Sequence, residues 1–233
     1  MKHYYEAYDD RYRVVHEKKL QWASDVPSPI VAETLACYEL TAKARILELG
    51  CGEGRDAANL LRKGYDLTAT DISPEAIRYC RSLYPEFADH FRVLDCIGGT
   101  LEEKYDYIYA VAVIHMLVED QDRGAFYRFI LQHLKEDGIG LICTMGDGTM
   151  ERKTDISTAF DLQERTHGLS GEKLLLAGTS CRMVLWDSFL EEIRESGLRV
   201  VDQGLTEVPP DFPVMMYAVV RKQETFLLTE TVL

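Results

Sequence analysis

No apolar run in the 233-residue sequence approaches the roughly 20 residues needed to cross a bilayer. The longest candidate, Tyr105–Val118, is too short and carries Asp106 and His115. The opening run MKHYYEAYDDRYR lacks the apolar stretch of a secretion signal. No C-x-x-C pair occurs among the cysteines at 37, 51, 80, 96, 143 and 181. That spacing suits neither a zinc site nor a disulfide framework, so no metal is expected and the expected compartment is a reducing cytoplasm. A Lys/Arg-rich run is missing too. With 26 basic against 39 acidic side chains and a net charge of −13, nothing gathers to neutralise nucleic-acid phosphates.

At 46% hydrophobic and 28% charged, the chain is too apolar to stay disordered, and its length suits one large domain. Short β-like runs alternate with amphipathic helical stretches between residues 45 and 145. Strands are predicted at Arg45–Leu49, Asp66–Thr70, Phe91–Leu94, Tyr105–Val113 and Gly138–Met145. Helices are predicted at Asp56–Lys63, ended by Gly64, at Pro74–Leu83, capped by Ser73, and at Arg123–Leu134. Such alternation predicts an α/β fold with a parallel sheet and helices on both faces, its ligand beyond the carboxyl ends of the strands. Residues 147–180 break the rhythm and read as an insertion over that edge. Trp186–Ser196 reads as a helix, and Leu198–Leu205 with Val214–Arg221 as a C-terminal antiparallel hairpin. Residues 1–40 read as two helices broken at Pro27 and Pro29, and the last ten residues as a loose tail. The expected division is a single domain over 1–233: an N-terminal helical segment to 40, a core to 146, an insertion to 185, and a helix with hairpin to 222.

The most informative segment is Glu48-Leu-Gly50-Cys51-Gly52-Glu-Gly54-Arg-Asp56. Glycines let a strand turn sharply into a helix while its backbone approaches a ligand. The dinucleotide fingerprint G-x-G-x-x-G fails, because its third glycine falls on Arg55. A phosphate loop also fails, because no Lys follows the glycines. Acids at 48, 53 and 56 would repel a bare phosphate and attract an ammonium or sulfonium group. Asp71 ends the second strand, where an acid gripping ribose hydroxyls sits in nucleotide-binding α/β folds. Asp95 and Cys96 end the third.

These residues resemble the class I S-adenosylmethionine-dependent methyltransferases. ILELGCGEGRDA looks like their first motif and GYDLTATDISPEAI their second. HFRVLDC is similar to the adenine-contacting segment, YDYIYAVAVIHML to the strand-four signature and LKEDGIGLICTM to strand five. The stretch GRDAANLLRKGYDLTATDISPEAI resembles the small-molecule branch that includes tellurite-resistance and thiopurine methyltransferases. The resemblance implies a Rossmann-like, seven-stranded, mostly parallel sheet. It implies S-adenosyl-L-methionine as cofactor, with S-adenosyl-L-homocysteine as product. Glu48 and the Gly50–Gly54 backbone, with Cys51, Gly52 and Gly54, would hold the methionyl part. Asp71 would take the ribose hydroxyls and Ile72 would pack on adenine. Asp95 would accept from the adenine amino group, with the Cys96 amide facing the ring. Ala110 and Val111 would line the methionine side, and His115 would sit near the sulfonium and the acceptor.

His115 reads either as a base or acceptor-orienting group, or as a packed histidine. Tyr5, Tyr8 and Tyr12 share one helix face. They and Trp22 read either as core or as an aromatic lid over the cofactor. Cys51 and Cys96 have no neighbour that would lower a thiol pKa. Met215 and Met216 read as sheet core, and Arg182 and Trp186 as candidates for the acceptor pocket. A Pro-Cys pair is absent, as is [DNS]-P-P-[YF] after strand four, which argues against methylation of nucleic-acid bases. The expected activity is methyl transfer to a small molecule by in-line displacement. A protein or RNA methyltransferase and a non-catalytic cofactor-binding protein are the alternatives, and the sequence leaves the oligomeric state open.

Overall fold

A computed structural model describes residues 2–223; the tail expected at 224–233 lies outside the described residues. Seven strands form one sheet. They are β1 (Arg45–Leu49), β2 (Asp66–Asp71), β3 (Phe91–Val93), β4 (Tyr105–Val111), β5 (Leu134–Met145), β10 (Leu198–Val208) and β11 (Phe212–Lys222). Their order is β10-β11-β5-β4-β1-β2-β3. The five from β5 to β3 run parallel, while β11 is antiparallel to both β5 and β10. This is the predicted mostly parallel sheet with a C-terminal antiparallel hairpin. The order reverses at β1, between β4 and β2, which opens a crevice at the carboxyl edge there.

Alternation along the strands explains the layers. Ile46, Tyr107, Tyr109, Leu141 and Val219 point to one face. They pack under α2 (Pro29–Cys37), α3 (Arg55–Arg62) and α4 (Pro74–Leu83). Leu47, Leu49, Ile108, Ile142 and Val220 point to the other, under α5 (Asp120–His133) and α6 (Trp186–Glu195). Burial on both faces is what near-continuous apolar strands demand. Met215 and Met216 are fully buried in this core. Helix α4 starts as its sequence predicts, with the Ser73 hydroxyl accepting from the Ala76 amide at 3.0 Å and Pro74 in the first turn. Several boundaries differ from expectation: β5 begins at Leu134 rather than Gly138, the hairpin strands run longer, and two differences bear on the site. Helix α5 begins at Asp120 rather than Arg123, with Asp120 and Asp122 complementing its N-terminal dipole. Strand β4 stops at Val111, because Ala112 turns left-handed at φ +60° and residues Ile114–Met116 form a 3-10 turn.

The insertion is not irregular. It contains two ribbons, β6 (Arg152–Lys153) with β9 (Arg182–Met183), and β7 (Leu162–Thr166) with β8 (Lys173–Ala177). Helix α1 (Ala7–Glu17) lies against them: Val15 is buried with Leu174 and Leu176, and Ala7 with Ala159 and Ala177. The N-terminal segment and the insertion thus form one roof over the sheet's carboxyl edge. Among the described residues no helix is long and apolar enough to cross a membrane.

Candidate active site

The loop after β1 is built on three left-handed glycines, Gly50, Gly52 and Gly54, at φ +69°, +52° and +80°. L-residues seldom adopt this region. Space forbids side chains there as well. A Cβ on Gly52 would lie 2.8 Å from the Tyr12 hydroxyl, and one on Gly54 would meet Cys80 Sγ at 2.9 Å. The loop is tied to the end of β2. The Cys51 amide donates to the Thr70 carbonyl at 2.9 Å, and the Gly52 amide donates to Asp71 Oδ2 at 2.8 Å. Asp71 Oδ1 also accepts from the Ser73 amide at 2.8 Å. Burial pushes the Asp71 carboxyl up, against the downward pull of those two amides.

Asp71 opens onto a narrow cavity of about 70 Å³, shared with Gly50, Ile72, Asp95, Cys96 and Tyr12. That is room for only a few waters. Tyr5, Tyr8 and Tyr12 cover it from above. Tyr5 belongs to the core cluster, and the Tyr8 hydroxyl donates to the Ser180 carbonyl at 3.0 Å. Asp95 Oδ1 accepts from the Ile97 amide at 2.8 Å. Neither cysteine near the loop is a thiolate at neutral pH. Contact with Cys80 and then burial raise Cys51, and burial followed by Asp95 lifts Cys96 to about 12.

The three acids around the glycines do different things. Glu53 fastens the N-terminal segment: its carboxylate accepts from the Trp22 and Ala23 amides at 2.8 and 2.9 Å, and His16 Nε2 lies 2.8 Å away. The other His16 ring nitrogen meets Glu75 Oε1 at 2.8 Å. Asp56 accepts from the Ser28 amide and hydroxyl at 2.6 and 2.7 Å. Arg55 adds a short ion pair with Asp211 at the tip of the β10–β11 hairpin. Glu53 and Asp56 are therefore anchors, not free charges awaiting a cation as the loop's acidity suggests. Glu48 differs. It is buried, its Oε2 has no hydrogen-bond partner, and burial followed by Asp56 pushes its carboxyl well above the usual range.

Glu48 faces a larger cavity of about 710 Å³, which adjoins the narrow one at Gly50, Tyr8, Tyr12 and Met116. Trp22, Val111 and His115 line it too. Ala110 does not. Its side chain points to the opposite face of β4 and packs beside Ile108 and Ile142, and Ala112 takes the lining position instead. His115 is 3% exposed, Nδ1 lacks a partner, and Phe212 stands edge-on at 6.0 Å. Burial, with the Arg123 charge, lowers its pKa to about 4. The turn carrying it is clamped by Arg123, whose Nη1 donates to the Ile114 and Leu117 carbonyls at 2.8 and 3.2 Å. Arg182 and Trp186 stand outside the cavity. Arg182 donates to the Val118 carbonyl and pairs with Asp120, and Trp186 packs on Phe189. Arg11 and Arg165 line the cavity instead. Arg11 follows Tyr8 by three residues on α1 and lies over the Trp22 ring, yet no periodicity links it to a loop more than 150 positions away.

Residues 47–139, which include the glycine loop, Asp71, Asp95 and His115, match a family model described as a methyltransferase domain. The chain is 30% identical over 138 residues to a malonyl-[acyl-carrier protein] O-methyltransferase of Bacillus anthracis, which covers 58% of this chain and 49% of that protein. It is 30% identical over 110 residues to a ubiquinone biosynthesis O-methyltransferase of Rickettsia typhi, covering 46% and 44%. The chain spans about half the length of these curated relatives. In structure it is similar to the 1,6-didemethyltoxoflavin-N1-methyltransferase of Burkholderia thailandensis, with a TM-score of 0.68 at 18% identity, over 94% of this chain and 88% of that one. At that identity the likeness establishes the fold. The matched region stops short of α1 and the insertion, so the roof over the site lies outside the segment the family model describes.

Proposed function

We propose that the chain transfers a methyl group from S-adenosyl-L-methionine to a small-molecule acceptor. One observation carries this reading. A narrow pocket at Asp71 and Asp95 adjoins a wide chamber at Glu48 and His115, meeting at Gly50 and Tyr12. Such a site suits a two-part ligand, with its nucleoside taken into the narrow part once the covering tyrosines give way and its reactive end facing the wide one. The residues fit that ligand chemically. Asp71 and Asp95 offer carboxylate acceptors to ribose and adenine donors. The Glu48 oxygen that lacks a partner suits the methionyl ammonium. When bound, the cofactor supplies an electrophilic methyl group on a positively charged sulfur, a leaving group that needs no further activation.

The chain's task is then to align an acceptor atom and keep out water. Tyr12, Trp22 and the insertion close the chamber. His115 is neutral at physiological pH, so its ring can accept a proton or a hydrogen bond from the acceptor. His115→Gln is expected to lower kcat by about 100-fold with cofactor affinity unchanged. Its pH behaviour follows from burial. The unfolded chain protonates this histidine near 6.5 and the folded one only near 4. Stability is therefore fully present above pH 6.5 and falls by up to roughly 3 kcal/mol as pH drops toward 4. Urea melts of wild type and His115→Gln at pH 7 and pH 5 check this: the variant should lose less stability on acidification.

Calorimetry with S-adenosylmethionine and S-adenosylhomocysteine tests the central claim, and no binding to the intact chain overturns it. Glu48 provides a finer check. A carboxyl whose pKa is raised by burial should fall back toward its ordinary range when an ammonium arrives, shedding protons. Binding heats in buffers of different ionisation enthalpy should therefore show proton release in the wild type and none in Glu48→Gln. Malonyl carrier-protein and ubiquinone-pathway O-methyltransferases among the relatives, and a toxoflavin-precursor methyltransferase among the folds, support a small organic acceptor.

A further inference from the structure

The wide chamber is electrically polarised. Its acidic side chains cluster at the glycine-loop end, where Glu53 and Asp56 are saturated by backbone amides and Ser28, and Asp211 by Arg55. Its far wall, made by α1 and the insertion, carries Arg11, Arg152 and Arg165. Arg11 is 5% exposed. Its Nη2 donates to the Ala177 and Gly178 carbonyls at 3.1 Å each and to Thr179 Oγ1 at 2.5 Å, all neutral acceptors. Its Nε is buried without a partner. The guanidinium lies 5.1 Å from the Tyr8 ring and 4.6 Å from the Trp22 ring. Arg165 Nη2 donates to the same Gly178 carbonyl at 3.1 Å, so two guanidinium groups converge on one oxygen.

Among the described residues no carboxylate pairs with Arg11, Arg152 or Arg165. This contrasts with Arg55, Arg123 and Arg182, each of which takes at least one. A buried guanidinium with like charge beside it and no counter-ion is costly. It is tolerated where a ligand brings the missing charge. Burial, with Arg165 adding to it, lowers the Arg11 pKa, which an arriving anion would reverse. The planar fork of donors suits an oxyanion.

We propose that the methyl acceptor carries an oxyanion, a carboxylate or a phosphate, that docks on Arg11 and Arg165 with Arg152 at the rim, turning the acceptor's other end toward His115. Calling the bound molecule an acceptor rests on the methyl-transfer reading above; the arginine site stands on its own geometry.

The test titrates the protein saturated with S-adenosylhomocysteine with benzoate and, separately, with inorganic phosphate, followed by tryptophan fluorescence, because Trp22 stacks on Arg11. Saturable binding is expected for at least one probe, weakened by added chloride. Phosphate binding alone identifies a phosphate group, and benzoate binding alone a carboxylate. Arg165→Gln, an exposed position, should weaken it at least about tenfold. Arg11→Lys keeps the charge, loses the fork and should give an intermediate loss. Failure of both probes at millimolar concentration, or equal binding by Arg165→Gln with an unchanged melting curve, overturns the proposal. Calorimetry of S-adenosylhomocysteine runs in parallel. If it does not bind, the methyl-transfer reading fails, while the same anion titrations on the unloaded chain still decide the arginine site.

Discussion

Asp71→Ala is expected to weaken binding of S-adenosylhomocysteine by about 100-fold, as loss of two hydrogen bonds to a charged acceptor would. The carboxylate is doubly placed. It accepts from the Gly52 and Ser73 amides, and it opens onto the narrow cavity. Alanine therefore removes a ligand contact and also unties the glycine loop from β2. Asp71→Asn separates the two effects. It retains the side-chain volume and one oxygen acceptor, so the Gly52 tie can persist at the cost of the Ser73 one while the charge is gone. Calorimetry should show an intermediate affinity for Asn, and circular dichroism an unchanged fold. Wild-type affinity in the Ala variant removes Asp71 from its role. The pH dependence has a definite sign. Burial raises this carboxyl's pKa, so protonation, and loss of affinity, should begin at a higher pH than for an ordinary aspartate.

Glu192→Ala should be the most damaging single change to stability, with a loss of about 3 kcal/mol or more. Its carboxylate is 2.7 and 2.6 Å from Arg123 Nε and Nη2, and it accepts from the Tyr127 hydroxyl at 3.0 Å. Arg123 has only 1% of its side chain exposed, so alanine strands a cation inside the protein. Arg123 also clamps the turn that carries His115. A fall in melting temperature on the order of 10 °C is expected for a chain of this size. Glu192→Gln, which keeps an acceptor, should lose less. An unchanged melting temperature in the Ala variant would show that water reaches the guanidinium.

The sheet was legible because β1, β2, β3 and β5 end at or within two residues of a glycine or an acid, because β4 is a dense run of Tyr, Ile, Ala and Val, and because Ser73-Pro74 announces its helix. The glycine loop was legible from spacing alone. What escaped depends on partners distant in sequence. Glu53 and Asp56 look like ligand charges in a motif, but their partners are amides at 22, 23 and 28. Arg123 opens the predicted fifth helix like a solvated cation and is buried by a glutamate 69 residues on. Ala110 and Val111 read alike as neighbours at a strand end. The two-residue period of a strand sends them to opposite faces, and only Val111 reaches the cavity.

The narrow cavity, with space for a few waters beneath three tyrosines, has a kinetic consequence. A cavity of this size has no room for a nucleoside while α1 stays in place, so arrival of the cofactor is expected to be a two-step event. At low concentration the observed association rate should climb with ligand. At high concentration it should level off at the opening rate of the helix. Because Glu53 holds residues 22 and 23 to the very loop that meets the ligand, one carboxylate sets the height of that plateau. Stopped-flow traces of Glu53→Gln should level off higher, and the bound cofactor should leave sooner.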